Sequence, residues 1–141
     1  MQTFLPYASF KKSAACLDYR RLGKQRVECK QILIAIEKKK ENPSVKAGWV
    51  NHPCTLMWFE HPDWLVEYST AICEEWLKRG YKDSLLPFFK SHSYPHSLMP
   101  LFIGNRDFHE SHKSNLIRKD PSFYKPKFKN TVEGLQYIWS I

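Results

Sequence analysis

Cys29, Ile32, Leu33 and Ile36 fall at the i, i+3, i+4, i+7 spacing of a single helical face. That stripe constrains the chain more than any other feature, because an apolar helical face must be covered by another layer. The helix carrying it is expected to start at Phe10 behind the capping residue Ser9 and to run to about Lys40. Asn42-Pro43 ends it, and Gly23 is the one place where a break or kink is expected. Arg21, Lys24, Gln25, Glu28 and Gln31 fall on another face and read as its polar side.

The remaining chain repeats this helical pattern. Pro53 to Phe59 reads as a short helix, and Pro62-Asp63 suits the start of a longer one. Leu65, Tyr68, Ile72 and Trp76 form its apolar stripe, and Gly80 behind Lys78-Arg79 is a good terminator. Tyr81 to Ile103 reads as irregular, with one short helix around Ser84 to Lys90. Asn105 caps a helix through about Lys119, and Asp120-Pro121 stops it and starts a turn through Tyr124. The tail from Thr131 to Ile141 is apolar enough to dock on the core. No strand alternation or repeat competes, so the expected class is all-α: one compact domain over residues 1–141 with three principal helices. Hydrophobic residues at 43% exclude a disordered chain.

Cys16, Cys29, Cys54 and Cys73 contain no CxxC pair and read as reduced core residues. Neither a signal peptide nor a stretch long enough to span a membrane is visible, so a cytoplasmic or nucleoid-associated protein is expected. The 22 Lys and Arg against 14 Asp and Glu give a net charge of +8, which favours a polyanionic partner. The positive residues recur over Arg20 to Arg26, Lys38 to Lys40 and Lys113 to Lys129, the last run interleaved with Phe123, Tyr124 and Phe128. No Gly-rich phosphate loop, zinc ribbon or GxSxG elbow is present, which sets aside NTPases and common hydrolases.

Four groups carry candidate chemistry. On the first long helix Glu28 stands alone among Arg20, Arg21, Lys24, Gln25 and Arg26. A carboxylate there suits stabilisation of a sugar cation during loss of a base, or an ordinary i, i+4 ion pair with Lys24. On the later helix His109 and His112 lie one turn apart. They form H-E-x-H rather than the zinc-protease H-E-x-x-H, so no metal is expected. Ser111, Lys113, Ser114, Asn115 and Arg118 beside them resemble a phosphate-contacting set, with Lys119, Tyr124 and Lys125 as further nucleic-acid contacts. Asn51-His52-Pro53 either lines a pocket or caps a helix. Last is the α-amine of the arm at Met1-Gln2, a weaker base than a lysine side chain and able to form a Schiff base.

Three blocks, in order, resemble the pyrimidine-dimer DNA glycosylases of the phage endonuclease V type. Leu17-Asp18-Tyr19-Arg20-Arg21-Leu22 resembles the family's first-helix motif. Glu75-Trp76-Leu77-Lys78-Arg79-Gly80-Tyr81 is similar to its E-x-L-K-R-G block, and Asp120-Pro121-Ser122-Phe123-Tyr124-Lys125 to its aromatic C-terminal block. The resemblance implies a helical fold with the N-terminal arm inserted between helices. It also implies cleavage of an N-glycosidic bond in double-stranded DNA, with base flipping and no cofactor or obligate protein partner. In the family the α-amine exposed by Met removal attacks the sugar, a helix carboxylate assists, and the imino intermediate permits strand cleavage. Two positions depart. Arg21 stands where the family has its glutamate and cannot act as a base, leaving Glu28 or Asp18. Gln2 follows Met1, so a retained Met1 would move the amine by one residue. The expected catalytic set is Met1, Gln2, Glu28, His109 and His112. A nucleic-acid-binding module without this chemistry, or another hydrolase or transferase on the same scaffold, are the competing readings.

Overall fold

The computed structural model describes all of residues 1–141. Seven helices form and no strand: α1 Phe10–Cys16, α2 Tyr19–Glu41, α3 Pro53–Trp58, α4 Pro62–Lys78, α5 Leu86–Lys90, α6 Arg106–Lys119 and α7 Pro121–Tyr124. The starts are written in the sequence. Side-chain oxygens of Ser9, Asp18, Asn105 and Asp120 accept from backbone N–H groups in the first turns of α1, α2, α6 and α7. His52 does the same for α3 through Nδ1, 3.0 Å from the Cys54 N–H.

The helix expected from Phe10 to Lys40 is two helices. The break falls at Leu17 and Asp18, both extended, and not at Gly23. Leu17 is fully buried there, and Asp18 restarts the chain as a cap. Gly23 lies inside α2 for a different reason. A Cβ on it would stand 2.9 Å from Cη2 of Trp76 on α4, so glycine lets the two helices approach. At Gly80 the backbone turns left-handed, with φ +92°, and ends the run after α4.

α2 packs against α3 and α4, with α1 and α5 also on α4 and α7 on α6. The stripe of Cys29, Ile32, Leu33 and Ile36 is fully buried and meets Trp58, Leu65, Tyr68 and Ile72. Phe89, Phe102, Phe108 and Tyr124 complete the core, and Tyr137 and Trp139 of the tail pack against it. The tail is pinned by hydrogen bonds from Leu135 N to Ser114 Oγ at 3.0 Å and from Ile138 N to Ser111 Oγ at 3.3 Å. All four cysteines are free. No helix is long and apolar enough to cross a membrane.

Candidate active site

Residues 1 to 7 form an extended arm that runs into the core; Gln2, Thr3, Phe4, Leu5 and Pro6 are all buried. Extended backbone in a core needs partners for its N–H and C=O groups, and no strand is present to supply them. Side chains from three helices do so instead. Gln25 of α2 donates from Nε2 to the Gln2 carbonyl at 2.7 Å and accepts the Phe4 N–H on Oε1 at 3.0 Å. The Tyr68 hydroxyl of α4 donates to the Phe4 carbonyl at 2.7 Å. On α6, His112 Nδ1 accepts the Leu5 N–H at 2.9 Å, and His109 Nδ1 donates to the Leu5 carbonyl at 2.7 Å.

This arrangement fixes both histidines as neutral rings. Burial, then the neighbouring His109, pushes His112 down to about 3. Burial also lowers His109, whose Nε2 accepts the Gly104 N–H at 2.9 Å. Both rings hold Leu5 of the arm, inside the protein.

The arm ends in a cleft of about 330 Å³ lined by Met1, Gln2, Phe4, Arg20, Arg21, Lys24, Glu28, Lys119 and Tyr137. Glu28 sits on its floor. Its carboxylate accepts the Gln2 N–H at 3.3 Å and lies 3.6 Å from the Lys24 ammonium. Its side chain is 13% exposed and that of Lys24 is 76% exposed, so the carboxylate is shielded beneath a solvated cation. Arg20 and Lys119 complete the rim without an acidic partner within ion-pair distance. Partial burial, then the charges of Arg21, Arg118 and Lys24, lowers the affinity of Lys119 for its proton. Four cations thus face one carboxylate, a field that attracts a phosphate backbone.

Several residues expected at a nucleic-acid surface are placed otherwise. Gln25 is 1% exposed, and its amide is occupied by the arm. Arg26 is held by Asp83 through Nε at 2.7 Å and lies over the Trp76 ring at 4.9 Å. Tyr124 is buried, with its hydroxyl accepting the Asp18 N–H at 2.9 Å and donating to the Asp18 carboxylate. Burial pushes Asp18 up, but hydrogen bonds from Tyr124 and Arg21 outweigh it and hold the carboxyl below its ordinary value. Asp18, the alternative carboxylate, is therefore a cap and not a cleft residue. Asn115 is buried and ties Ser111 to the tail carbonyl of Leu135. Lys113 pairs with Glu110 at 3.2 Å beside Tyr7. Arg118 stays exposed, leaning on Asn115 Oδ1 at 2.9 Å, and Lys125 is exposed near Glu133.

For Gln25, Arg26, Tyr124 and Asn115, a polar side chain has left solvent to satisfy a backbone group or an internal carboxylate. Periodicity does not report that. Tyr137 was not anticipated as part of the cleft; it reaches it because the tail folds across α6. No group of three His, Cys, Asp or Glu side chains converges to hold a metal.

A family model described as pyrimidine dimer DNA glycosylase matches residues 1–86, from the arm through α4 to the start of α5. The match includes Met1, Gln2, Arg20, Lys24 and Glu28, and stops before α6 and the tail. No curated protein and no solved structure matches the chain.

Proposed function

The chain belongs to the pyrimidine dimer DNA glycosylase family, and from that premise we propose that it removes a damaged pyrimidine from double-stranded DNA and cleaves the resulting abasic site through an amine at its N-terminus. The observation carrying this reading is the convergence of the N-terminus and Glu28 in one cation-rimmed cleft. Arg20, Lys24 and Lys119 hold phosphates on either side of the extruded nucleotide. The amine attacks C1′, a new C–N bond forms, and the base leaves with the electron pair of the glycosidic bond. Glu28 takes the proton that the amine gives up and balances the positive charge that grows on the sugar. Proton uptake at the ring oxygen opens the sugar to an imine, from which loss of a C2′ proton expels the 3′ phosphate.

Both processing states of the chain fit this cleft. If Met1 is removed, the amine is the Gln2 nitrogen, already 3.3 Å from Glu28. If Met1 stays, the amine lies one residue further along in the same cleft. Glu28 thereby fills the role that Arg21 cannot, because the carboxylate meets the arm two turns further along α2. His109 reaches the cleft through Leu5, and His112 through Leu5 and the rings of Phe4 and Tyr137, so both are positioning residues.

The test is borohydride trapping on duplex DNA carrying a cyclobutane pyrimidine dimer. Wild-type protein is expected to form a covalent adduct that maps to the N-terminal peptide and to cut the strand. Glu28→Gln is expected to bind this DNA with little loss and to lose turnover. DNA binding without adduct or cleavage, or unchanged turnover in Glu28→Gln, overturns the mechanism.

A further inference from the structure

Trp49 lies outside the cleft and is 45% exposed between two hollows. On one side is a slot of about 170 Å³ bounded by Gln31, Ile34, Ala35 and Lys38 of α2 and by the loop of residues 47–50. On the other is a more open hollow bounded by the same loop with Lys46, Asn51 and His52. The slot is lined by the apolar side chains of Ile34, Ala35, Trp49 and Val50, and its volume suits one planar ring. Lys38 and Lys46 stand at the edges of the two hollows, and neither is in an ion pair.

Two observations join this slot to the cleft. Glu28, Gln31, Ala35 and Lys38 recur at helical spacing, so the slot lies along the face of α2 that floors the cleft. A chain of rings also connects them. Trp49 and His52 are 5.6 Å apart, His52 and Trp139 6.0 Å, and Trp139 and Tyr137 5.8 Å, and Tyr137 lines the cleft. Seven residues separate Glu28 from Ala35. At a rise of 1.5 Å per residue that is about 10 Å, or about three base steps of a DNA strand.

We infer that the slot beside Trp49 binds one unpaired nucleobase of the DNA, about three base steps from the nucleotide in the cleft, by stacking on the indole. Lys38 and Lys46 take the phosphates beside it. Stacking needs only the π-face that every base has, so the site is tolerant of sequence, and only a base that has left its own stack can enter. The inference rests on DNA being the ligand of the cleft.

The experiment scans 2-aminopurine, one position at a time, through five steps on either side of a pyrimidine dimer in a duplex, on both strands. Fluorescence and affinity are read with wild type, Trp49→Ala and Trp49→Phe. With wild type, one position near three steps from the dimer is expected to change its fluorescence on binding. Trp49→Ala is expected to abolish that change and to weaken binding about tenfold, while Trp49→Phe keeps most of both. Borohydride trapping at saturating protein is expected to persist in all three. If wild type binds and traps but no position gives a Trp49-dependent signal, the slot is refuted and the cleft reading stands. If wild type neither binds nor traps, both fall. Self-association of DNA-free protein that Trp49→Ala abolishes would assign the slot to a second copy of the chain and overturn the inference.

Discussion

Replacing Gln25 by Met should release the N-terminal arm while leaving the core filled. Met keeps the length and approximate volume of the side chain, so no cavity contributes. It removes a donor to the Gln2 carbonyl at 2.7 Å and an acceptor for the Phe4 N–H at 3.0 Å. Tyr68 gives up a weaker contact at 3.3 Å but keeps its bond to the Phe4 carbonyl at 2.7 Å. Two buried backbone groups are left without partners, at about 1–3 kcal/mol each. The expected loss is therefore about 2–6 kcal/mol, large against the roughly 5–15 kcal/mol that holds a typical domain folded. Urea unfolding measures it as a lower midpoint at unchanged slope. Hydrogen exchange locates it, because the Phe4 amide should lose protection before the α2 amides do. The amine should be misplaced in the same variant, with slower borohydride trapping on dimer-containing DNA. A loss below about 1 kcal/mol with the Phe4 amide still protected would refute the reasoning that Gln25 holds the arm.

Acid should weaken the same anchorage. His112 has an ordinary value of 6.5 in the unfolded chain and about 3 when folded, so the unfolded state binds the extra proton between those limits. Stability is then full above pH 6.5 and falls as pH drops, by up to about 1.4 kcal/mol per pH unit from this group, or about 2 kcal/mol by pH 5. Asp18, Asp63 and Asp83 are lowered from their ordinary 3.8 and add their own losses only at lower pH. His112→Asn keeps an acceptor for the Leu5 N–H and cannot titrate, so its urea midpoint should fall less between pH 7 and 5; an identical fall would remove His112 as the cause. At the rim, Lys119→Ala and Arg20→Ala should each reduce the slope of log affinity against log salt by about one, read by DNA titration from low to moderate salt. A slope unchanged in both would take the phosphates away from this rim.

The sequence by itself determined the helical class and most helix starts. Those depend on local chemistry: the side chains of Ser9, Asn105 and Asp120 cap the first turns that follow them, and Gly80 supplies the left-handed turn after α4. It also singled out Met1, Gln2, Arg20, Arg21, Lys24, Glu28 and Lys119, seven of the residues that meet in the cleft. Only the tertiary structure decided which polar residues face solvent. Gln25 read as part of a polar outer face, and His109 and His112 as catalytic candidates, because periodicity assigns faces by the partner helices and cannot see an arm that covers a face with bare backbone. Asp18 and Tyr124, far apart in the chain, meet only when α7 packs beside the start of α2. The break at Leu17-Asp18 was also hidden, since a buried Leu17 pays for interrupting the helix only once there is a core to receive it. Tyr137 enters the cleft by the same route, through a fold-back of the tail that no local pattern records.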